Sequence, residues 1–483
     1  MSSRTFYVGP FIHCLTLTTL EIVEHGTICV DDNSGAILSV QRVGVDYTSS
    51  DASILTPHSL VHDKLQHPTT TAGEERGSTR IQVAPKDHFF FPGLIDTHVH
   101  ASQYPNIGVF GESTLLDWLN KYTWPLEASL SSPALAARVY TRCVSRSLSA
   151  GTTTAAYYAT QDASSTNVLA STVHAKGQRG FIGRCGMDSE LSPTWYRDAS
   201  PEACVSASRA CWEFCKTLDP TGRRVQSIVT PRFAPSCSRE ALEGLGALLA
   251  EGAHAGLRCQ THISENAAEI ALVRELFPEF DSYAGVYDGF GLLTDRTVLA
   301  HAVHLSEREI ALVRSRGAGV AHCPTSNLAL GSGDAKVRKL LDAGIPVGLG
   351  TDVSGGYDVN VLAAARAACL VSRSVGITQG DAAKLAVEEA LYLATRGGAK
   401  VLGLEKLVGA FEVGMQWDAC LVGLDAVPED GELDGSAIGG IDLFGWEPWP
   451  DRIAKWLYGG DERNIRKVWV GGELVHEKAA RRS

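Results

Sequence analysis

The sequence predicts an α/β protein in which a (β/α)8 barrel of the TIM type is joined to a small β-sandwich formed by both chain ends. From residue 91 to about 404, short apolar segments alternate with longer Ala- and Leu-rich segments of helical period. Strand-like segments of another kind occupy both ends of the chain, and polar side chains follow most of the central strands. Eight strand–helix alternations over roughly three hundred residues are typical of such a barrel.

The central strands are short apolar runs bounded by Gly, Pro or polar residues, as buried strands are. An open, doubly wound sheet is the alternative, but no G-x-G-x-x-G or G-x-x-x-x-G-K-[ST] loop follows any of these strands, which favours the barrel. The eight predicted strands are FPGLIDTHVH, GTTTAAYYAT, GFIGRCGMD, VQSIVTPRF, LRCQTHISE, TVLAHAVHL, AGVAHCPTSN and IPVGLGTDV.

The two chain ends predict the second structural unit. Residues 1–90 contain three strand-like segments, and residues 405–483 return to short strands after the barrel at 91–404. We expect both ends to pack together as one β-sandwich beside the barrel. Residues from about 47 to 80 are rich in Ser, Thr, His and Pro without sustained periodicity, which indicates a surface loop or a partly disordered insertion.

Composition and charge narrow the class of partner. The formal charge of −12 argues against nucleic acid or an anionic membrane as the main partner, because both need a basic surface. No basic segment followed by an apolar core begins the chain, and no run approaches eighteen apolar residues. The twelve cysteines are scattered without a C-x-x-C pair, as in a reducing compartment. We therefore expect a cytoplasmic enzyme acting on a small molecule.

Two histidines stand one residue apart at the end of the first central strand, in FPGLIDTHVHASQY. Side chains at positions i and i+2 of a strand share one face, so His98 and His100 project together and could hold one metal ion. Such a pair alone is more often exposed to solvent or satisfied by hydrogen bonds. Whether it binds a metal therefore depends on the residues at the other strand ends.

Polar residues follow the other strands at the end where barrel enzymes carry their chemistry. Each has an ordinary structural alternative: a helix cap for His262 or Asp352, and a core histidine for His301. Their joint placement at one mouth of the barrel predicts instead a site suited to zinc or a similar divalent ion. The residues at these ends are Arg232 on the fourth strand, His262 and Glu265 on the fifth, His301 on the sixth and Asp352 on the eighth.

These segments together resemble the amidohydrolase superfamily, in its mononuclear deaminase and chlorohydrolase branch. The resemblance is closer still to the guanine deaminase family. It runs from about residue 85 to the C-terminus, is thin in the N-terminal strands and is absent from the insertion at 47–80. The motifs that carry it are FPGLIDTHVH, HASQY, KYTWP, GTTTAAYYAT, IVTPRF, THISEN, AHCPTSNLALGSG and TDVSGGY.

The resemblance implies one zinc ion per chain, ligated by His98, His100, His262 and Asp352. Glu265 would be the proton shuttle, while His301, together with Asp352, would hold and orient the metal-bound water. Zinc lowers the pKa of bound water from about 15.7 to about 7, which supplies a nucleophile at neutral pH. A carboxyl group that gives and takes protons is needed because the amine leaves only once it is protonated.

The activity that the resemblance implies is hydrolytic deamination of guanine to xanthine and ammonia, in purine catabolism. The resemblance also implies that the protein is a homodimer, as is common in the family. Arg232 would donate to the O6 carbonyl, Gln103 would read a base edge and Phe233 would stack on the ring. The full implied set of substrate contacts is His100, Ala101, Ser102, Gln103, Arg232, Phe233, His262 and Asp352.

Three alternatives remain at this point. Another aminohydrolase or chlorohydrolase on the same barrel would share the metal ligands and differ at Gln103 and Arg232. A binuclear amide hydrolase would carry a lysine on the fourth strand, where QSIVTPRF has none. A non-catalytic scaffold would have lost ligands that are present here. In HCPTSN, Pro324 and Asn327 are interpreted as turn formers that shape the pocket wall.

Overall fold

The computed structural model describes residues 3–42, 78–110, 115–427 and 440–478. Most of the predicted insertion at 47–80 lies outside these residues. Its last residues enter a strand, Thr79–Val83, that pairs with the first strand of the chain.

Strands from both chain ends form one mixed sheet. The N-terminal strands are β1 (Arg4–Thr16), β2 (Thr19–Asp31), β3 (Ile37–Arg42), β4 (Thr79–Val83) and β5 (His88–Pro92). Three C-terminal strands join them: β15 (Ala419–Gly423), β18 (Ile465–Val470) and β19 (Glu473–Glu477). The sheet order is β19-β18-β15-β5-β1-β2-β3, with β4 beside β1. Its buried face packs Tyr7, Trp417 and Trp469 together, and Tyr7 stacks on Trp417 at 4.2 Å between ring centroids.

The central part of the chain forms a parallel barrel, as predicted. All eight predicted strands are present, and the third of them is divided into β8 and the short β9. The strands are β6 (Leu94–His100), β7 (Thr152–Tyr158), β8 (Arg179–Gly183), β9 (Cys185–Gly186), β10 (Val225–Pro231), β11 (Arg258–Ile263), β12 (Thr297–His301), β13 (Gly319–His322) and β14 (Val347–Leu349). Their order in the barrel is β6-β7-β8-β10-β11-β12-β13-β14, and β9 pairs with β10.

Hydrogen bonds at the upper end join the first barrel strand to the segment that follows the last one. The amide of Asp352 donates to the carbonyl of His98 at 2.9 Å, and the amide of His100 donates to the carbonyl of Val353 at 3.0 Å. Below them, Thr97 Oγ1 donates to the carbonyl of Leu349 at 2.8 Å. This seam, formed by residues 97–100 and 349–353, closes the cylinder and brings residues from opposite ends of the barrel sequence into contact.

Helices surround the barrel, and side chains cap several of them. Asp162 accepts from the amide of Ser165 at 2.6 Å, and Ser306 with Glu309 forms a reciprocal capping box. The α-helices are Leu115–Trp118, Trp124–Ser129, Pro133–Ser149, Ala163–Ala175, Pro201–Leu218, Arg239–Glu251, Ala267–Leu276, Tyr283–Gly289, Glu307–Arg316, Pro324–Ala329, Val337–Asp342, Val361–Gln379, Val387–Tyr392, Gly398–Val401 and Trp449–Gly459.

The segment predicted as one strand, 91–100, is two strands in two sheets. Phe91 and Pro92 end β5 in the sheet of the chain ends, whereas Leu94 begins the barrel. Gly93 makes the turn between them, and a Cβ atom there would stand 2.1 Å from Thr153 Oγ1. Only glycine allows the two sheets to approach this closely.

The C-terminal residues add strands and one unpredicted helix. The strands are β15 (Ala419–Gly423), β16 (Asp425–Ala426), β17 (Asp442–Leu443), β18 (Ile465–Val470) and β19 (Glu473–Glu477). The helix Trp449–Gly459 buries Ile453, Trp456 and Leu457 on one face. Trp456 packs on Phe91 at 4.9 Å between centroids, so the helix covers the junction between sheet and barrel.

One described helix, Val361–Gln379, has the length and hydropathy of a membrane span. Of its apolar window, 61% is buried inside the protein. It packs beside β14 and the C-terminal helix Trp449–Gly459, which is the surrounding of a core helix.

Candidate metal and substrate site

Three histidines converge at the upper end of the barrel. His98 and His100 end β6, while His262 lies near the end of β11. The Nε2 atoms of His100 and His262 lie 3.1 Å apart, and the His98 ring centroid is 4.8 Å from that of His262. The structure thus places the side chains of His98 and His100 in one cluster, and their role as metal ligands stays a prediction.

Asp352 completes this cluster. Its Oδ1 lies 3.0 Å from His98 Nε2 and 3.4 Å from His100 Nε2. Burial opposes ionisation, but the neighbouring histidines, His98 first, hold the pKa of Asp352 below its usual range. Hence the carboxylate is charged and can act as a ligand.

The donor set fits a divalent cation of the zinc type. Ligand atoms of His98, His100 and His262 lie within 4.8 Å of one another. His98 Nε2 is buried and has the Asp352 carboxylate 3.0 Å away without the geometry of a regular hydrogen bond, as expected of two groups that bond the same metal. Burial lowers the pKa of His98 and brings those of His100 and His262 well below the ordinary value, which favours the neutral imidazoles that a metal requires.

The backbone orients the ligand from β11. His262 Nδ1 lies 2.6 Å from the carbonyl oxygen of Arg232 and donates its hydrogen to it. That bond fixes the tautomer, so Nε2 faces the cluster without a hydrogen, which is how a carbonyl usually supports a metal-binding histidine. The backbone just after β10, at Arg232, therefore also positions a ligand.

Two site residues have left-handed backbone conformations. His301 has φ 71° and Asp352 has φ 47°, although neither is glycine. Such conformations cost of order 1–3 kcal/mol and persist where the surroundings enforce them, often at functional sites. Here they turn both side chains toward the cluster at the strand ends.

His301 and Glu265 stand beside the cluster. His301 Nε2 lies 3.6 Å from Glu265 Oε2 and 3.7 Å from Asp352 Oδ2, while Glu265 Oε1 accepts from Ser332 Oγ at 3.3 Å. Burial raises the pKa of Glu265, which favours a carboxyl group that holds a proton. Burial opposes protonation of His301, but Glu265 in its ionised form and Asp352 outweigh this effect and raise the pKa of His301.

A pocket opens above the cluster, and predicted metal and substrate residues share its wall. Arg232 is 3% exposed and Phe233 is 5% exposed, so both are nearly enclosed. Most of the predicted site residues are thus brought together around one cavity. Its described lining consists of His100, Gln103, Trp118, Leu119, Arg232, Phe233, His262, Glu265, Glu269, His301, Leu330, Asp352 and Gly355.

Three predicted residues lie behind this wall. His98 forms the floor of the metal cluster, and Ala101 is fully buried in an apolar core. Ser102 Oγ donates to the carbonyl of Ala159 at 3.0 Å. Substrate contact by Ala101 and Ser102 stays a prediction.

The structure corrects the interpretation of Asn327 and adds Glu127, which the sequence did not indicate. Asn327 lies in the helix Pro324–Ala329 rather than in a turn, and its Oδ1 lies 2.9 Å from His301 Nδ1. Glu127 is fully buried and pairs with Arg232. The family-like motif KYTWP lies just before Glu127, but nothing in its residue types marked the glutamate.

Comparisons with known proteins show the family of this chain. The Amidohydrolase family matches residues 89–475. A probable guanine deaminase of Schizosaccharomyces pombe is 44% identical over 97% of this chain and 83% of its own length. The guanine deaminase of Homo sapiens is 41% identical over 82% of this chain and 84% of its own.

Solved structures are similar as well. Guanine deaminase from C. acetobutylicum, with guanine bound in its active site, has a TM-score of 0.82 and 30% identity over 98% of this chain and 100% of that one. The fold and site thus define a metal-dependent hydrolase of the (β/α)8 type. The chain belongs to the amidohydrolase family and, within it, to the guanine deaminases.

Proposed function

We propose that this protein hydrolyses guanine to xanthine and ammonia, with one zinc ion per chain held by His98, His100, His262 and Asp352. The observation that carries the proposal is a shared pocket wall. Three residues of the metal-type cluster and three predicted purine-binding residues line one pocket: His100, His262, Asp352, Gln103, Arg232 and Phe233. The bound guanine in the related structure from C. acetobutylicum supports the substrate.

The reaction adds water across an amidine carbon and then expels an amine. The water oxygen bonds to C2 of guanine and the C2–N2 bond breaks. Of the two protons that water supplies, one leaves with the ammonia and the other stays on N3 of xanthine. When bound, zinc would lower the pKa of water to about 7. The protein's part is to orient the water, move its protons and hold the base.

Asp352 and His301 are placed to receive and orient the water proton. Their side chains lie 3.7 Å apart, and His301 has its second nitrogen bound to Asn327. Glu265, whose raised pKa lets it carry a proton, would protonate N3 as the tetrahedral centre forms and then the departing amine.

Arg232, Gln103 and Phe233 supply recognition. An arginine offers only donors, so its buried guanidinium matches the O6 carbonyl and would be left unpaired opposite the amine of adenine. Phe233 offers an aromatic face from the same loop. The preference for guanine over adenine should therefore be larger than a purely apolar pocket could give.

The test combines turnover with metal content on one preparation. Purified protein incubated with guanine should form xanthine and ammonia in equal amounts and contain about one equivalent of zinc per chain. Turnover of another heterocycle but not of guanine would overturn the substrate. Iron in place of zinc would change only the metal.

The proposal includes a homodimer in the cytoplasm. All twelve cysteines are free and buried, which suits a reducing compartment. Light scattering should give twice the chain mass of 51.6 kDa, and cell fractionation should place the activity in the soluble fraction. A monomer, or activity that sediments with membranes, would contradict these two points.

A further inference from the structure

We infer that Glu127 is a positioning residue that sets the selectivity of the pocket for a 6-oxopurine by fixing Arg232 and Gln103. The inference rests on the proposed function and extends it. Glu127 lies on the helix Trp124–Ser129, is fully buried, and is not among the described residues that line the pocket. It acts on the substrate through its neighbours.

Glu127 holds the guanidinium of Arg232 by two charge-assisted hydrogen bonds. Arg232 Nη1 donates to Glu127 Oε2 at 2.6 Å, and Nη2 donates to Oε1 at 3.2 Å. This bidentate pair fixes the plane of the fork and uses two of its five N–H groups. The other N–H groups of Arg232 therefore have a fixed orientation at the pocket wall, which Arg232 lines.

The same carboxylate fixes the amide of Gln103. Gln103 Nε2 donates to Glu127 Oε1 at 2.9 Å, while its Oε1 faces the amide and Oγ of Ser354 at 3.4 and 3.5 Å. A side-chain amide can reverse, and its two ends offer opposite hydrogen-bonding groups. Bonding to Glu127 selects the orientation with nitrogen toward the carboxylate.

The remaining acceptor site of Glu127 is filled by Tyr196. Tyr196 Oη donates to Glu127 Oε2 at 2.7 Å, whereas the hydroxyl of Ser102 donates to the carbonyl of Ala159. Two carboxylate oxygens have about four lone-pair sites, and two N–H groups of Arg232, one of Gln103 and the hydroxyl of Tyr196 occupy them. Glu127 therefore has no acceptor left for a ligand, which makes it a support for the recognition residues.

Charge balance gives Glu127 a second effect. Arg232 and Glu127 form a closed, buried ion pair, so the pocket offers hydrogen-bond donors to a carbonyl without a net positive charge. A lone guanidinium would favour anions in general. The pair instead suits a neutral base with an oxo group.

The variant Glu127→Gln tests the inference because it keeps the side-chain volume and removes the charge. The Michaelis constant for guanine should rise about 30-fold, the size of losing one charge-assisted hydrogen bond, while kcat changes less than about threefold. 2-Aminopurine lacks the 6-oxo group, and its competitive inhibition constant should move by less than about threefold. That constant can be measured whether or not 2-aminopurine is turned over.

Two further variants complete the design. Glu389 is another buried carboxylate with an arginine partner, Arg338 at 2.7 Å, and Glu389→Gln should leave both constants unchanged. Tyr196→Phe removes one hydrogen-bond donor to Glu127 and keeps the charge of the carboxylate. The Michaelis constant for guanine should therefore rise a few-fold, as in Glu127→Gln but less. This milder variant decides the matter if Glu127→Gln does not fold.

The outcomes are distinct. Equal losses for guanine and 2-aminopurine, or no loss for either, in a folded variant with full metal content would overturn the role of Glu127. Wild-type protein without guanine turnover would overturn the proposed function instead.

Discussion

Asn327 Oδ1 lies 2.9 Å from His301 Nδ1, so an amide from β13's following helix fixes the ring that stands between Glu265 and Asp352. His301 Nδ1–H donates to this oxygen. Its Nε2 then faces the two carboxylates, which is the orientation that water binding requires.

Replacing Asn327 should therefore impair turnover without emptying the metal site. Asn327→Ala should lower kcat about 10- to 100-fold, because the imidazole loses the partner that sets its tautomer. Metal content and the Michaelis constant should change little. Thr325→Ala, in the same helix, is the control; loss of metal in Asn327→Ala would assign Asn327 to the ligand scaffold instead.

His262→Ala should abolish tight metal binding, since it removes one ligand and its backbone-supported geometry. Metal analysis after gel filtration should fall from about one equivalent to below about a tenth. His304→Ala is the matched control, because His304 Nε2 bonds the carbonyl of Ser332 outside the cluster. Full metal occupancy in His262→Ala would remove His262 from the ligand set.

Glu265→Gln should keep the metal and lose turnover. An amide preserves the contact with Ser332 but cannot shuttle a proton, so kcat should fall by at least about a hundredfold. The exposed Glu275→Gln, on the neighbouring helix Ala267–Leu276, should behave as wild type. Near-normal activity in Glu265→Gln would show that another group moves the proton.

Arg232→Met should cost stability as well as substrate binding. It leaves the carboxylate of Glu127 buried without its counter-ion, a change worth roughly 3–5 kcal/mol. The double variant Arg232→Met, Glu127→Gln should recover part of this loss in chemical unfolding. If the double variant were less stable than the single one, the pair would not be compensating a buried charge.

Glu269 should make stability depend on pH. Burial, and then the charge of Glu265, raises the pKa of Glu269 from 4.5 to about 7. Between these values the unfolded chain releases the proton that the native protein retains, so the free energy of unfolding falls as pH rises. Glu269→Gln lacks this effect. Its free energy of unfolding relative to that of wild type should therefore increase by up to ~3 kcal/mol between about pH 5 and pH 8.

Unfolding of both proteins at the two pH values measures this gain, with Glu275→Gln as the exposed control. A constant difference between Glu269→Gln and wild type would mean that Glu269 has an ordinary pKa in the native state.

Periodicity predicted the barrel because each strand is buried on both faces and reads as a short apolar run. The strand ends predicted His98, His100, His262, Glu265, His301 and Asp352, since a barrel collects such residues at one mouth. Their roles came from the family resemblance. The split at Gly93 was not visible, because the apolar run continues across two sheets.

Glu127 and Asn327 could not be predicted for a different reason. A single glutamate in a helix usually lies on a solvated face, and asparagine after a strand usually forms a turn. The partners of Glu127, which include Gln103, Tyr196 and Arg232, come from separate segments of the chain. Only the tertiary fold reveals such a convergence.

The seam between residues 97–100 and 349–353 determines when the metal site can form during folding. His98 and His100 belong to the opening strand of the cylinder and Asp352 follows its final one, so the complete set of donors exists only after the ring has shut. A nascent chain in which β14 has not yet formed has the histidines but not a complete set of metal ligands. Metal binding should therefore be the last step of barrel folding, and the bound ion would link the first strand to the segment after the last one.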